Sequence, residues 1–314
     1  MCGIGGFYST TGGSAPVESI EALWKALEGR GTHAAGFALN WRDSDEPIVR
    51  KKACRASKMT GELRRLCGSG DNTHYVMLHT RYTTQGSTDN NANNHPVVRD
   101  GIVLTHNGVL HNDDEVFAIL DLERTAQVDT EAINASLRHL GTQWTVENVE
   151  GSMSIAWVDT QESTKTVHLM TNGNNPLVIA RLTSGDIVWA STEDILWEAL
   201  GEVLDPKSIF NALPYKQYTL NPDGTIRSKF VSEQRAEPYT GINWGRWVSS
   251  HYGTHTRTTG RAQKPDRPKR QKRRKMPKKH AVWALCDHSK EYILVETDDP
   301  DLYYTNRGWC VGTP

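Results

Sequence analysis

Cysteine is the second residue of this chain, in the run Met1-Cys2-Gly3-Ile4-Gly5-Gly6. Removal of Met1 would place a thiol and a free α-amino group on the same residue. A thiol with a pKa of about 8.5 and an α-amine with a pKa of about 7.7–8.0 both titrate near neutrality, so the amine can accept the thiol proton and pass it to a leaving amine. Cys2 therefore offers a nucleophile and its base together. Taken alone, Cys2 is better interpreted as a cysteine that happens to follow the start methionine.

Five further polar motifs stand in order along the chain: Arg30-Gly31-Thr32-His33-Ala34-Ala35-Gly36, His79-Thr80-Arg81-Tyr82-Thr83-Thr84-Gln85-Gly86, Asn94-His95-Pro96, His106-Asn107-Gly108 and Asp129-Thr130-Glu131. Together with the Cys2 start, they resemble the glutaminase domain of class II glutamine amidotransferases, a branch of the N-terminal-nucleophile hydrolases. The resemblance covers roughly residues 2–230. The acidic residue and the serine often found inside the first motif of that family are missing here.

The resemblance implies that Cys2 attacks the side-chain amide of glutamine. Hydrolysis passes through an oxyanion, and the resemblance assigns its two donors to the Asn107 side chain and the Gly108 backbone N–H, each worth a factor of about 10²–10³. Without the family, His-Asn-Gly also suits a type I′ hairpin turn between residues 102–104 and 109–110. Both interpretations are compatible, because such a turn could present the donors.

Free glutamine differs from a protein side chain by its α-carboxylate and α-ammonium groups. Arg81 can hold the carboxylate with two parallel hydrogen bonds, and Asp129 can pair with the ammonium. The resemblance places Thr84 and Gln85 on the same wall. Read without the family, Arg81 is an ordinary strand-end arginine, and Asp129 caps a helix over 130–140 that ends at Gly141; for Asp129 the resemblance favours the ligand role.

Arg30 follows an amphipathic helix predicted over Pro16–Glu28. We expect it to lie beside the N-terminus and orient the Cys2 region, the alternative being a solvated arginine favoured by the helix dipole. Three histidines of the motifs lie in separate segments without the short spacing of metal ligands: His79, His95 and His106. The sequence therefore predicts structural histidines, no metal and no cofactor.

The elements that must position these residues are short strands and few helices. Strands are predicted at Tyr75–His79, Ile102–Thr105, Ser154–Asp159, Thr166–Met170, Pro176–Leu182 and Ile187–Ala190, and further helices at Thr130–Leu140 and Glu193–Leu200. Closely connected strands of this kind indicate an α+β fold with mainly antiparallel sheets. The resemblance implies the four-layer αββα sandwich of the Ntn-hydrolase fold, with Cys2 at the start of a central strand.

Composition predicts a soluble protein of the cytoplasm. The 314 residues are 37% hydrophobic, with a mean hydropathy of −0.58 and no apolar run long enough to span a bilayer. The N-terminus has neither the charged nor the apolar region of a secretory signal. Five cysteines at irregular spacings argue against a disulfide framework and for a reducing compartment.

Charge divides the chain into three predicted regions. Residues 257–279 carry twelve Lys or Arg against one acidic residue, a net charge of +11, so the remainder of a chain that totals −1 carries −12. We predict a glutaminase domain over residues 2–232, a disordered basic linker over 233–280 and a short C-terminal segment of unknown role over 281–314. The basic stretch, Arg257–Lys279, is either a solvated tether that folds back on the acidic domain or a contact for nucleic acid or another acidic partner.

No acceptor domain is recognised in this sequence: it has no pyrophosphate loop of asparagine synthetases, no sugar-isomerase domain and no phosphoribosyltransferase domain. We therefore expect a stand-alone glutaminase subunit that supplies ammonia to a separately encoded synthetase or ligase, with nucleobase modification as one candidate pathway. A nearer alternative keeps the Cys2 nucleophile but takes a γ-glutamyl peptide or another amide. A second alternative is a non-catalytic protein that binds nucleic acid through the basic linker.

Overall fold

A computed structural model of the protein describes residues 1–13, 15–68, 72–162 and 164–232, and the backbone of residues 280–285 and 292–297. It divides into two compact units, residues 1–242 and 243–314. The strands of the first unit are β1 (Gly3–Tyr8), β2 (Ala34–Trp41), β3 (Ile48–Lys52), β4 (Thr73–Arg81), β5 (Val97–Arg99), β6 (Ile102–Leu110), β7 (Gly151–Asp159), β8 (Val167–Thr171), β9 (Val178–Arg181), β10 (Ile187–Ala190), β11 (Phe210–Asn211), β12 (Lys216–Leu220) and β13 (Ile226–Phe230). Its α-helices are α1 (Val17–Leu27), α2 (Thr60–Cys67), α3 (Asp113–Leu120), α4 (Thr130–His139), α5 (Gly141–Asn148) and α6 (Glu193–Leu200).

Two antiparallel sheets form the centre of this unit. The first has seven strands in the order β11-β9-β10-β1-β4-β2-β3, and the second has six in the order β13-β12-β8-β7-β6-β5. Strand β1 is the middle strand of the first sheet, and all six of its residues are buried. Gly6 leaves room there for Trp189, whose ring would lie 2.1 Å from a Cβ at that position. Cys2 therefore stands at the start of a central strand, as the resemblance implied.

Three clusters of buried apolar side chains separate four layers. Trp24 of α1 and Phe37 of β2 belong to the cluster between the first sheet and α1, α2 and α6. Ile4 of β1 and Val103 of β6 belong to the cluster between the two sheets. Leu104, the next residue of β6, packs with α3 and α4 on the outer side of the second sheet. Because neighbouring strand residues face opposite sides, each sheet is apolar on both faces, and the predicted αββα sandwich is confirmed.

Most of the predicted elements are present. Helix α6 and strand β10 have the predicted bounds, α1 differs by one residue at each end, and α4 ends one residue early. Three helices were missed: α2, α3 and α5, each of eight residues. Gly141 does not simply end α4; its φ of +82° turns the chain from α4 directly into α5.

The predicted turn at His106-Asn107-Gly108 is wrong. Strand β6 runs without interruption from Ile102 to Leu110 and pairs along its whole length with β7. Gly108 lies opposite Met153 in that ladder, so its role is not to reverse the chain.

No helix in the part of the chain that the structure describes is long and apolar enough to cross a membrane. The second unit contains an antiparallel pair, β14 (His280–Leu285) and β15 (Tyr292–Thr297), which lies in the predicted C-terminal segment except for His280. The predicted linker lies outside the described residues except for His280, and all of Arg257–Lys279 lies outside them.

Candidate active site

Cys2 is held by main-chain and side-chain contacts immediately before β1. Its Sγ donates to the carbonyl oxygen of Tyr82 at 3.6 Å. The Arg30 Nε donates to the Cys2 carbonyl oxygen at 2.9 Å. Arg30 closes a 3₁₀ turn, Glu28–Arg30, that continues α1. The structure thus places Arg30 beside the Cys2 main chain, and not free in solvent at the helix end.

Met1 is present in this structure and carries the N-terminal amine. Burial lowers the pKa of that amine, and the charge of Arg30 acts in the same direction. Burial also raises the pKa of the Cys2 thiol, while the positive charges of the N-terminus and Arg81 oppose that rise. With Met1 in place the thiol is therefore biased toward its neutral form.

One small cleft brings together six of the residues expected from the sequence: Cys2, Arg81, Thr84, Gln85, Gly108 and Asp129. The rest of its lining comes from Tyr82, His95, His106, Val128 and Thr130. Arg30 reaches Cys2 from outside this lining, and Asn107 adjoins Gly108 in β6. These residues come from widely separated segments, so the fold rather than local sequence assembles the cleft.

The Gly108 N–H points away from β7. His111 N donates to Glu150 O, and in an antiparallel ladder such paired positions alternate. The alternation makes Gly108 a non-hydrogen-bonded position, in agreement with Met153, whose carbonyl accepts from Asn172 in the opposite direction. Strand β5 covers the other side of β6 only over residues 102–104. The Gly108 N–H therefore points to an edge of β6 that none of the described strands covers.

Close packing explains why position 108 is glycine. A Cβ there would lie 1.9 Å from the Ser152 carbonyl oxygen and 2.4 Å from His106 Nε2. No Cβ fits at such distances, so any larger residue would push β6 away from β7 or displace His106.

Asn107 carries a buried donor without an acceptor. The residue is 1% exposed, and its side-chain Nδ2 has no hydrogen-bond partner among the described residues. The main-chain carbonyl oxygen of Asn107, in contrast, accepts a hydrogen bond from Asn175 Nδ2 at 3.0 Å. An unsatisfied buried donor costs about 1–3 kcal/mol, and such a group in a folded protein calls for an explanation.

The Arg81 guanidinium is already engaged. Its Nη1 donates to Asn94 Oδ1 at 2.9 Å, and its Nη2 donates to the carbonyl oxygens of Gly86, at 3.0 Å, and of Gln85. The side chain is 3% exposed, and burial lowers the pKa of Arg81 while Cys2 and Asp129 oppose that shift. A carboxylate would have to use the remaining Nη1 and Nε hydrogens or displace a backbone carbonyl.

Asp129 joins β6 to α4. One carboxylate oxygen accepts from Leu110 N at 2.8 Å, and the other accepts from Thr130 N at 2.9 Å at the start of the helix. The Asp129 N–H itself donates to Gln85 Oε1 at 3.2 Å. The expected cap is therefore present. The oxygen bound by Thr130 N also lies 3.4 Å from the Thr130 hydroxyl, and the oxygen that accepts from Leu110 N keeps a lone pair for a further donor.

Three histidines converge at the cleft, two of them, His95 and His106, in its lining, although their motifs are separate in sequence. The rings of His79 and His95 stack with centroids 4.1 Å apart. The Thr130 hydroxyl lies between His95 Nε2, at 2.8 Å, and His106 Nδ1, at 3.0 Å. His106 Nε2 in turn faces the Ser152 carbonyl oxygen at 3.2 Å. Sequence reasoning treated these histidines as independent structural residues and overlooked Thr130, although the motifs contained all four.

The hydrogen bonds assign the tautomers of His95 and His106. A carbonyl oxygen can only accept, so His106 carries its proton on Nε2 and accepts from the Thr130 hydroxyl at Nδ1. Thr130 then accepts from His95 Nε2. Burial lowers the pKa of both histidines and so favours their neutral forms, although the charge of Asp129 opposes this at His106. Among the described residues, no group of histidine, cysteine or carboxylate side chains is arranged to hold a metal ion.

Comparison with known proteins finds similarity to glutamine amidotransferases over part of the chain. The family described as "Glutamine amidotransferase domain" matches residues 79–198. The glutamine–fructose-6-phosphate aminotransferase (isomerizing) of Corynebacterium glutamicum is 27% identical over 203 residues, which are 57% of this chain and 31% of that protein. The same enzyme of Lactiplantibacillus plantarum is 33% identical over 137 residues, or 42% of this chain and 21% of that protein. This chain thus spans at most about a third of the length of these relatives.

A solved structure shares the fold. The glutamine phosphoribosylpyrophosphate amidotransferase of B. subtilis, complexed with ADP and GMP, aligns with a TM-score of 0.59 at 18% identity, covering 74% of this chain and 50% of that chain. At this identity the alignment supports the four-layer architecture and does not bear on substrates.

Proposed function

We propose that this chain, which carries a class II glutamine amidotransferase domain, hydrolyses the side-chain amide of glutamine to glutamate and ammonia with Cys2 as the nucleophile. The observation that carries the proposal is the cleft itself. It unites a thiol, a main-chain donor at Gly108, a cation at Arg81 and a carboxylate at Asp129. An amide substrate with a carboxylate at one end and an ammonium beside it requires that combination.

Removal of Met1 would move the α-amine onto Cys2. The amine then takes the Sγ proton as sulfur attacks the amide carbon, and it returns the proton to the departing nitrogen, which leaves as ammonia. Water attacks the resulting γ-glutamyl thioester and releases glutamate. Arg30 contributes by fixing the Cys2 carbonyl, and with it the direction of the nucleophile.

Asn107 and Gly108 provide the oxyanion donors in this proposal. The Gly108 N–H points past the end of β5, and the buried Asn107 Nδ2 has no acceptor in the described part of the chain. In the described part of the chain both donors therefore point at no acceptor, and both belong to a strand that is paired with β7 along its length. Donors fixed in this way stabilise developing negative charge without reorganisation during the reaction.

Substrate recognition is assigned to Arg81 and Asp129. The Asp129 carboxylate is held by two N–H groups and can accept a hydrogen bond from the α-ammonium of glutamine, while Arg81 binds the α-carboxylate. Thr84 and Gln85 line the same cleft, and Gln85 is tied to the Asp129 main chain. The segment that carries them thereby connects the two recognition charges.

The ammonia acceptor is a further part of the proposal. By their names, the curated relatives transfer the glutamine nitrogen to fructose 6-phosphate. For this chain we propose a separately encoded synthetase or ligase in the cytoplasm, because ammonia released into water is protonated and lost. The +11 charge of residues 257–279 favours an acidic partner such as nucleic acid, and hence nucleobase modification as the pathway.

Two other functions make different predictions. A γ-glutamyl peptide hydrolase would use the same nucleophile, but free glutamine would not compete with its substrate. A non-catalytic nucleic-acid-binding protein would retain Met1 in its mature form and would bind in a salt-sensitive manner. The convergence of Arg81 and Asp129 on Cys2 favours a substrate with a free α-carboxylate and α-ammonium over a non-catalytic role, and competition by free glutamine decides between glutamine and a γ-glutamyl peptide.

Ammonia release from glutamine tests the proposal. The protein is purified, its N-terminal residue is determined by mass spectrometry, and wild type is compared with Cys2→Ala. Cys2→Ala is expected to abolish release while leaving the thermal unfolding midpoint nearly unchanged. Cys54→Ala, which alters a thiol outside the cleft, is the matched control and is expected to retain activity. Ammonia release that persists in Cys2→Ala would refute the mechanism.

A further inference from the structure

We propose that Lys51 is a positioning residue for the glutamine site, holding Arg81 and His95 in place through the main chain of residues 94–96. The inference rests on the proposed function, since it concerns the binding of glutamine. Lys51 lies on β3, outside the motifs and outside the lining of the cleft.

The Lys51 ammonium binds two carbonyl oxygens of one short segment. Its Nζ donates to Asn94 O at 2.7 Å and to Pro96 O at 3.0 Å, so it grips the main chain on both sides of His95. Both acceptors are neutral, and the described residues provide no carboxylate within ion-pair distance of this lysine. The hydrogen bonds of the Lys51 ammonium therefore go to the main chain of residues 94–96 and not to an ion pair within the described residues.

The same segment rests on the strand next to β3. Gly36 of β2 is the cross-strand neighbour of Lys51, and a Cβ on Gly36 would lie 2.1 Å from His95 O and 2.7 Å from Lys51 Cβ. The segment therefore lies directly over Gly36, with the lysine stem against it. Because Gly36 has no side chain, the main chain of residues 94–96 can lie against it, and the Lys51 ammonium holds that main chain there by hydrogen bonds.

From this segment the contacts lead into the cleft by two routes. Asn94 Oδ1 accepts from Arg81 Nη1 at 2.9 Å, and His95 Nε2 faces the Thr130 hydroxyl at 2.8 Å. Asn94 is consequently bound by Lys51 at its main chain and by Arg81 at its side chain. A shift of the segment on loss of the ammonium would move the guanidinium that is assigned to the glutamine carboxylate.

The charge of Lys51 also acts on the site. Burial lowers the pKa of Lys51 to about 8, and Arg81 adds to this effect. The titratable or charged groups that face it from packed elements are Arg81 and His79 of β4 and His95 of the held segment. Burial keeps both histidines neutral, so Lys51 and Arg81 together form a positive region toward the carboxylate end of glutamine.

Glutamine binding by calorimetry separates this role from a merely structural one. The measurements use the Cys2→Ala protein, which does not consume the substrate. Lys51→Met keeps the apolar stem and is expected to raise the Kd for L-glutamine roughly 2- to 30-fold. Lys52→Met is the matched control. Lys52 is the next residue of β3, its side chain is 62% exposed and pairs with Glu62, and its loss is expected to leave the Kd unchanged.

Two further readouts distinguish positioning from loss of stability. The difference in Kd between the parent protein and Lys51→Met should shrink as pH rises through about 8, because the parent then loses the same charge. In a double-mutant cycle with Asn94→Ala, the two effects on binding should be less than additive, because both act on the contact between Asn94 and Arg81. Additive effects, or equal Kd values for Lys51→Met and Lys52→Met, would overturn the inference.

Failure of the proposed function gives a different pattern. In that case the Cys2→Ala protein binds no glutamine and wild type releases no ammonia, and the inference about Lys51 falls with it. Should Lys51→Met not fold, the Cε resonances of Lys51 and Lys52 are followed in the folded Cys2→Ala protein during glutamine titration. A shift of the Lys51 resonance alone supports the inference, and an unmoved Lys51 resonance at saturating glutamine refutes it.

Discussion

Replacement of Asn107 by alanine separates a catalytic asparagine from a structural one. The Asn107 Nδ2 is buried without an acceptor among the described residues, so in the substrate-free protein it contributes no hydrogen bond to stability. If this donor serves the oxyanion, its removal should lower the rate and spare the fold. Asn134 on α4 provides the comparison, because it is equally buried but donates to Ile102 O at 2.9 Å and Val97 O at 3.2 Å.

Asn107→Ala is expected to lower kcat, and Asn134→Ala is expected to lower the free energy of unfolding. For Asn107→Ala, relief of the unsatisfied donor is worth about 1–3 kcal/mol and is offset by the packing lost with the side chain, so unfolding free energy should change by less than about 1 kcal/mol. Its kcat should fall by about 10²–10³, or about 2.7–4 kcal/mol. Asn134→Ala leaves two carbonyl oxygens without that donor and should cost about 1–3 kcal/mol of stability.

The assay pairs steady-state ammonia release with urea unfolding on both variants. Asn107→Ala is expected to keep the urea midpoint and the KM of wild type while losing kcat. Asn134→Ala is expected to lower the midpoint and keep kcat. A kcat for Asn107→Ala within tenfold of wild type, or a stability loss that matches that of Asn134→Ala, would refute the assignment of Asn107 to the oxyanion.

Two other predictions concern stability. Gly108→Ala should destabilise the fold strongly, because its Cβ would lie 1.9 Å from Ser152 O. Gly29→Ala should be nearly neutral, because the described residues place no atom within 4 Å of its Cβ; equal thermal unfolding midpoints for the two variants would contradict this. Stability should also fall as pH decreases from 6.5 to 5, since burial holds the pKa of several histidines below that of the unfolded chain. Each such histidine contributes up to about 1.4 kcal/mol per pH unit, because the unfolded state binds the extra proton. A urea midpoint that is flat over this range would contradict the prediction. The histidines concerned are His79, with a pKa of about 3, His74, with a pKa of about 4, and His95 and His106, with lowered values.

The local sequence pattern was sufficient to predict a helix whose own apolar residues form the face that it buries. The 3-4 spacing of Ile20, Leu23, Trp24 and Leu27 predicted α1 to within one residue at each end, because that apolar stripe is what the helix buries. Helix α3 was missed for the converse reason. It has eight residues, and only three of them, Asp113, Val116 and Phe117, are buried. So short an apolar stripe does not show a helical period.

Contacts between residues far apart in sequence determine the structure at Asn107-Gly108, where the local sequence predicted a turn. Asn-Gly favours a tight turn, but pairing of β6 with β7 keeps Gly108 in an extended strand, where its lack of a Cβ serves the approach of Ser152. The motif order placed Cys2, Arg81 and Asp129 in one site only through resemblance to a family. Nothing in their spacing predicts that His95, Thr130 and His106 share hydrogen bonds.

The short length of β5 opens the candidate site. Because β5 pairs with β6 only as far as Leu104, the main-chain groups of β6 beyond that point face an uncovered edge. On that edge the His106 carbonyl accepts from His79 Nε2 at 3.0 Å, and the Leu110 N–H is taken by Asp129 at 2.8 Å. The Gly108 N–H lies between these two. Its neighbours are satisfied by side chains that also line or support the cleft. In the proposed mechanism, this uncovered strand edge, ordinarily a liability, supplies the Gly108 N–H as a preorganised donor for the oxyanion.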